Sequence, residues 1–348
     1  MRCQELRPLG SPVVSGRPTI YDVARAAGVA PSTVSRALTR PGRVSAHTAE
    51  LVRRVAAEVG YTAPRGVTPP ESGSVVALVM SDITNPHVSD IVRGAEQQAA
   101  DHGYTMLLCD TRESADREAD VLRRILPVVD GVVLASSRLT DDEVSAVARA
   151  RPTVVLNRSP ADVPHIVLDH ARGALLAVEH LHGLGHRRIG YLPGPATSPV
   201  EGERGAGLDR AARSLGVELV RLATASPTLD GGARLAADVV AARVGAVVAY
   251  NDLLAIGVLQ ELVLRGVRVP GEVGVVGFDN IPLGRLVRPQ LTSVEAPLRT
   301  LGESAMRNLL QRLASPDPTT VRSARLPVRL VARESTGTAA GQAGRRNR

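Results

Sequence analysis

Beginning at Pro31, the segment PSTVSRALT places two small hydroxyls and a guanidinium, Ser32, Thr33 and Arg36, at positions that could read a nucleic acid. If the segment is helical, Val34, Ala37 and Leu38 share one face by the i, i+3, i+4 rule, and the three polar residues point the other way. A guanidinium can grip guanine O6 and N7 in bidentate fashion, while Ser and Thr reach phosphates or base edges without filling the major groove.

A second constellation lies at the ends of apolar runs. Asp82 follows VVALVM, Asn157 and Arg158 follow TVVL, Asp169 ends HIVLD, Asn251 and Asp252 follow AVVAY, and Asp279 follows VVGF. In open α/β sheets ligands sit at the carboxyl ends of the strands, so these are candidate ligand contacts. Asp252 equally fits a helix cap, and Asp169 a purely structural role in its loop. Tyr250 and Phe278 stand beside the polar residues and offer stacking, in a chain with no Trp and a single Phe.

The elements that must position the first group are readable. Thr19 and Asp22 fit a capping box, so a helix starts at Ile20. Gly28 supplies a tight turn, and Pro31 is tolerated at the first position of the next helix, which runs to about Thr39. After Pro41-Gly42, Ser45 caps a third helix with Val52, Val55 and Val59 inward, stopped by Gly60. Three short helices so spaced predict a helix-turn-helix head.

Charge agrees. Residues 1–65 hold ten Arg against four acids, a surplus of six out of the chain's net +7. Setting aside Arg345, Arg346 and Arg348, residues 66–344 hold 29 Arg against 31 acids, a balance of −2. Only the head is built to meet a polyanion, with the salt dependence that phosphate contacts bring. The absence of Lys extends through the whole chain and reads as compositional bias rather than a device.

From Ser74 onward short apolar runs alternate with amphipathic helical periods, the βαβ pattern of parallel sheets. The span is too long for one such sheet, and two α/β lobes enclosing a cleft are the simplest division. The most apolar stretch, Val244 to Leu264, is interrupted by Asn251, Asp252, Gln260 and Glu261, which argues against a membrane span. The N-terminus lacks a signal-peptide pattern, so a cytoplasmic protein is expected. Cys3 and Cys109 are expected as plain thiols.

Residues 19 to about 335 resemble the lactose-repressor (LacI/GalR) family of bacterial transcription factors. The likeness is carried by Thr19-Ile20-Tyr21-Asp22-Val23-Ala24, Gly28-Val29 and Thr33-Val34-Ser35-Arg36-Ala37-Leu38 in the head. Beyond it come Asn85-Pro86, Val129-Asp130-Gly131, His180-Leu181, Gly185-His186-Arg187-Arg188-Ile189 and Gly277-Phe278-Asp279. Leu291-Thr292-Ser293-Val294, Leu326-Pro327 and Arg333-Glu334-Ser335-Thr336 complete it.

The resemblance implies a helix-turn-helix head joined to a two-lobed domain like a periplasmic sugar-binding protein, each lobe Rossmann-like. It further implies a dimer or tetramer on a palindromic operator, with affinity controlled by a small effector, a sugar by default; repression is the expected mode, with activation left open. At matching positions, Pro31, Ser32 and Arg36 face bases, Thr19, Thr33, Ser35 and Ser45 hold phosphates, and Tyr21 lies against the backbone. Arg204 matches the family's ligand arginine, and His87 and Val88 stand where the family commonly places two aromatics. The candidate effector contacts are therefore Asp82, His87, Asn157, Arg204, Asn251, Phe278 and Asp279.

The expected domains are a tail at 1–17, the head at 18–63, a linker at 64–73, the two-lobed domain at 74–336 and a basic tail at 337–348. The N-terminal lobe takes about 74–168 and 296–322, and the C-terminal lobe about 169–295 and 323–336. The linker departs from the family: it is shorter, lacks the leucine of the usual hinge helix and contains Pro64, Pro69 and Pro70. An extended connection is expected, with Val67 the only apolar candidate for a minor-groove wedge and weak operator kinking as the consequence.

Other chemistries find less support. His180, His182 and His186 are a possible metal set, but two glycines spoil their helical presentation and no carboxylate ligand is clearly offered. No G-x-S-x-G elbow, P-loop or strand-borne G-x-G-x-x-G appears, so neither an enzyme nor a cofactor is expected. The alternative reading is a sugar-binding receptor without regulatory DNA binding, which the basic head opposes.

Overall fold

The computed structural model describes residues 19–39, 44–59, 61, 74–315 and 323–339. The expected tail at 1–17 and linker at 64–73, with its extended conformation and Val67 wedge, lie outside the described residues. The chain forms two compact units, Met1–Thr68 and Pro69–Arg348.

Three helices make the first unit: α1 (Ile20–Ala27), α2 (Pro31–Thr39) and α3 (Ala46–Val59). The backbone N–H and the hydroxyl of Thr19 both donate to the Asp22 carboxylate, at 2.8 and 2.6 Å. These bonds hold the Asp22 carboxyl below its usual range and start α1 where the sequence places it. Gly28 closes α1 at φ 64°, a left-handed conformation that side chains resist, and so provides the turn into α2. Ser45 Oγ accepts from the Thr48 amide at 3.2 Å and begins α3. Val23, Val34 and Val52 are fully buried with Ala24, Ala37, Val55 and Ala56 at the centre.

In the second unit the N-terminal lobe is built on β1 (Val75–Met80), β2 (Thr105–Asp110), β3 (Gly131–Ala135), β4 (Thr153–Leu156) and β5 (His165–Leu168). Helix α4 (Val88–Asp101) joins the first two strands, and α5 (Ala115–Ile125) and α6 (Asp141–Ala150) join the next. The C-terminal lobe repeats the pattern with α7 (His170–Gly183), β6 (Arg188–Leu192), α8 (Pro199–Leu215), β7 (Glu218–Arg221) and α9 (Leu229–Ala241). It continues with β8 (Ala246–Ala249), α10 (Asp252–Leu264), β9 (Gly274–Asp279), a 3-10 turn (Pro282–Arg285) and β10 (Thr292–Glu295). Then α11 (Leu298–Ala314), β11 (Ala324–Leu326) and β12 (Arg329–Val331) follow.

Among the described residues each lobe has one six-stranded sheet, ordered β11-β5-β4-β3-β1-β2 and β12-β10-β9-β8-β6-β7. Every pairing is parallel except β10 with β12. Both sheets switch winding direction beside the first strand of their lobe, between β1 and β3 in one and β6 and β8 in the other. That is where doubly wound sheets open a crevice.

Helices α4 and α11 cover one face of the first sheet, α5 and α6 the other. In the second, α9 and α10 face α7 and α8 across the strands. Glycines bring the paired helices into backbone contact: a Cβ on Gly94 of α4 would fall 2.1 Å from the Arg299 carbonyl oxygen, and one on Gly302 of α11 would fall 2.0 Å from that of Ile91.

The chain crosses between lobes three times. The last crossing corrects the expected lobe boundary at 323: Ala324–Leu326 pairs parallel with β5 and still belongs to the N-terminal sheet, so the return comes at Pro327 and Val328. Two three-residue strands flanking a proline carry too little periodicity to be apportioned by sequence. Order also extends past the expected start of the basic tail at 337. His186 Nε2 lies 3.0 Å from the Gly337 carbonyl oxygen, and the Ala339 amide donates to the Leu184 carbonyl at 2.9 Å. No helix of the described residues is long and apolar enough to cross a membrane.

Candidate functional site

Strand ends build a cleft between the lobes of the second unit. Asp82 follows β1, Ser136 and Arg138 follow β3, Asn157 follows β4, His170 follows β5, Tyr250 and Asn251 follow β8, and Asp279 ends β9; all line one cavity between the lobes. Several of these turns are strained: Ser136, Asn157 and Asp279 have φ of 54°, 58° and 101°. Such conformations persist only where surrounding structure enforces them, and they gather at functional sites.

Arg204 is the centre. Helix α8 presents it from its first two turns, and only 5% of the residue is exposed. Its guanidinium donates to the Asp279 Oδ1 at 3.2 Å, to the Tyr250 carbonyl and, through Nε, to His170 Nδ1 at 3.4 Å. It also lies over the Tyr250 and Phe278 rings, 5.1 and 4.4 Å from their centroids. The other Asp279 oxygen stands 3.8 Å from Nδ1 of His87, which the N-terminal lobe contributes at the start of α4.

His170 is buried, and burial followed by the Arg204 charge pushes its imidazole far below the usual range, so it is neutral. Because Nδ1 accepts from Arg204, the proton sits on Nε2. That Nε2 is buried with no partner in the protein, as are His87 Nδ1, Asn157 Oδ1 and Arg138 Nε. Buried polar atoms are nearly always paired, so the four orphans on this cavity are groups that a bound ligand or water would satisfy.

Six of the seven sequence candidates, Asp82, His87, Asn157, Arg204, Asn251 and Asp279, line this cavity. Phe278 does not: it is 2% exposed and packs beneath Arg204, so it supports the guanidinium rather than offering a free face. Asn251 is also the cap of α10, its Oδ1 accepting from Leu254 N at 2.9 Å and its Nδ2 donating to the Pro227 carbonyl at 3.1 Å. Asp82 Oδ1 is occupied by Thr84, through the amide at 2.8 Å and the hydroxyl at 2.7 Å.

The remaining strand-end acids are structural. Asp252 is fully buried and accepts from the Ser293 hydroxyl at 2.6 Å and the Ile281 amide at 2.8 Å, while burial raises its carboxyl far above the usual range. Asp169 caps α7 by accepting from the Arg172 amide at 3.0 Å. His180 and His186 hold the C-terminal segment, at Thr336 and Gly337. Among the described residues no group of three or more His, Cys, Asp and Glu side chains could hold a metal ion.

Sequence reasoning missed Arg138, Glu113, Ser136 and His170. Arg138 lies three residues past β3 and His170 two past β5, so a wider application of the strand-end rule reaches both. Glu113 lies on a loop after β2, and only the fold brings it to Arg138, with which it forms an ion pair.

In the first unit Tyr21 is 66% exposed, Thr19, Ser32, Ser35 and Ser45 are exposed, and Pro31 and Thr33 are half-buried. Arg36 lies on α2, and its side chain is outside the described residues. So are those of Leu38 and Thr39. Val34 and Ala37 point into the core as expected, which turns the opposite face of α2 outward.

Comparison with known proteins follows this division. Residues 19–63 match the family model described as bacterial regulatory proteins, lacI family, and residues 178–336 match that of a periplasmic binding protein-like domain. The HTH-type transcriptional repressor CytR of Escherichia coli is 33% identical over 306 residues, covering 85% of this chain and 89% of the relative. The ribose operon repressor of Halalkalibacterium halodurans is 32% identical over 326 residues, covering 91% and 97%.

Among solved structures, a regulator from Enterococcus faecium with bound ribose superposes with a TM-score of 0.69 at 29% identity, over 76% of this chain and 99% of that one. The lac repressor dimer bound to operator and the anti-inducer ONPF gives 0.71 at 26% identity, over 93% and 100%.

Proposed function

Because this chain belongs to the LacI family of bacterial regulatory proteins, we propose that its head reads an operator and that its inter-lobe cleft binds a small hydroxylated effector that changes operator affinity. It is a sequence-specific DNA-binding transcriptional regulator; repression is the mode its relatives' names support. Pro31, Ser32 and Arg36 contact bases, Thr19, Thr33, Ser35 and Ser45 contact phosphates, and Tyr21 packs against the DNA backbone. Two copies related by a dyad read a palindromic site. The relatives are regulators rather than enzymes, and this chain acts by binding, without catalysis, in the cytoplasm.

The observation that carries the effector half is the set of unpartnered buried atoms, on His87, Arg138, Asn157 and His170, that converge beside the Arg204–Asp279 pair. Vicinal hydroxyls, each both donor and acceptor, match such a lining. The solved neighbours carry bound ribose or, in another case, cellobiose. The domain limits expected from sequence, a head at 18–63 and a two-lobed domain at 74–336, suit this division of labour.

The test is selection of bound DNA from a random pool by the full-length protein, with and without candidate sugars. An enriched palindrome whose recovery changes with one sugar is the expected result. Sugar binding without any preferred DNA site would leave only the receptor reading.

A further inference from the structure

The charged residues lining the cleft are Asp82, Glu113 and Asp279 against Arg138 and Arg204, three carboxylates to two guanidiniums. Each guanidinium is already paired with a carboxylate of the protein, and of the two only Arg138 keeps a buried N–H, its Nε–H, without a partner. Arg204 is paired with Asp279 at 3.2 Å and covered by two aromatic rings. Arg138, with 4% of its side chain exposed, is paired with Glu113 and donates to the Ser136 carbonyl at 2.9 Å.

A phosphate or carboxylate on the ligand would bring a fourth negative group into a buried site where, among the described lining residues, both guanidiniums are already neutralised by a carboxylate. Burying an unpaired charge is far costlier than burying a hydroxyl. The hydrogen-bond pattern agrees. Asn157 Oδ1 is unpartnered, Asp82 keeps one oxygen not engaged by Thr84, and both need donors, which an ionised phosphate lacks. His170 Nε2–H and Arg138 Nε–H are unpartnered donors, and His87 Nδ1, 3.8 Å from Asp279, is the fourth unpartnered atom. Acceptors and donors so mixed fit a chain of hydroxyls.

The aromatic rings narrow the class further. Tyr250 is backed by Gly194, where a Cβ would lie 2.5 Å from the ring, and Arg204 lies over it. Phe278 is covered by Arg204 in the same way. Neither ring is left free to stack on a planar base.

We infer that the effector is an uncharged polyol, an unphosphorylated sugar without an acid group or a nucleobase, and that the Glu113–Arg138 pair enforces this by withholding a cation from anionic analogues. This rests on the effector reading above and sharpens it.

The test titrates full-length protein with matched pairs: ribose and ribose 5-phosphate, glucose and glucose 6-phosphate, galactose and galacturonate, together with adenosine and cytidine. Thermal shift, calorimetry and operator retention are the readouts. Uncharged sugars alone should bind. In Glu113→Gln, which frees Arg138, the ratio of phosphorylated to free sugar affinity should rise roughly tenfold, the scale of one charge-assisted contact.

An anionic member or nucleoside that binds the native protein as well as its free sugar overturns the inference. So does an unchanged ratio in a folded Glu113→Gln protein. If no compound of either kind binds, the effector reading itself falls; binding confined to charged members leaves that reading standing and removes only the charge class.

Discussion

Arg204 on α8 and Asp279 at the end of β9, 75 residues apart in the chain, meet at 3.2 Å, and the second Asp279 oxygen faces His87 of the other lobe at 3.8 Å. One carboxylate thus joins a guanidinium fixed within its own lobe to a side chain across the cleft. A ligand that replaced either contact would thereby couple its binding to the relation between the lobes.

Asp279→Asn keeps the shape of the side chain and removes its charge. Affinity for the sugar that shifts wild-type melting should fall at least about tenfold, the cost of exchanging a charge-assisted bond for a neutral one. Calorimetry decides, and undiminished affinity would remove Asp279 from the effector site.

Arg204→Ala should do more harm to the fold. It leaves Asp279 buried without its partner, and breaking such a pair costs about 3–5 kcal/mol. Denaturant unfolding of the variant checks this, and a midpoint equal to wild type would show that the pair is solvated rather than structural.

For the head, Arg36→Ala should cost about 1–3 kcal/mol at the selected operator and relax one base preference. Binding to random DNA should weaken less. Equal losses on both duplexes, measured by anisotropy at one salt concentration, would assign Arg36 to phosphate contact alone.

Acid sensitivity follows from the buried imidazoles. His170, His180 and His186 are all held below the ordinary histidine range, mainly by burial; Arg204 adds to this for His170, while the bond to the Gly337 carbonyl partly offsets it for His186. In the unfolded chain each takes a proton near pH ~6.5, and the folded protein does so only at lower pH. Stability from these groups is therefore complete above that pH and lost as pH falls through it toward the folded values. Asp252 and Glu118, raised by burial, act in the opposite sense, favouring the fold as pH drops toward the carboxylate range. The comparison that isolates the histidines is the Tm difference between wild type and His180→Gln/His186→Gln, which should narrow from pH 7.5 to pH 5.5. A constant difference would count against it.

Gly302→Ala tests the helix contact in the N-terminal lobe. The added methyl would meet the Ile91 carbonyl oxygen at 2.0 Å, so α4 and α11 must separate. Overpacking of this kind costs about 1–3 kcal/mol, and a Tm at or above wild type would refute the close crossing.

What is local was legible along the chain: the Thr19–Asp22 cap, the turn at Gly28, the inward face of α2, and the alternation of strands and helices that puts Asp82, Asn157, Asn251 and Asp279 at strand ends. These depend on near neighbours and on period, and both are written along the chain. Whatever depends on distant partners was set by the fold. Phe278, adjacent to Asp279 and plausible as a stacking platform, is turned beneath Arg204 because successive side chains on a strand face opposite ways. Asp252, no less polar than Asp279, goes to Ser293 and Ile281 instead of the cleft. Glu113, on the loop after β2, and Arg138, on the loop after β3, are separated by 25 residues and become a pair only because β2 and β3 flank β1 in a sheet whose order is not the order of the chain.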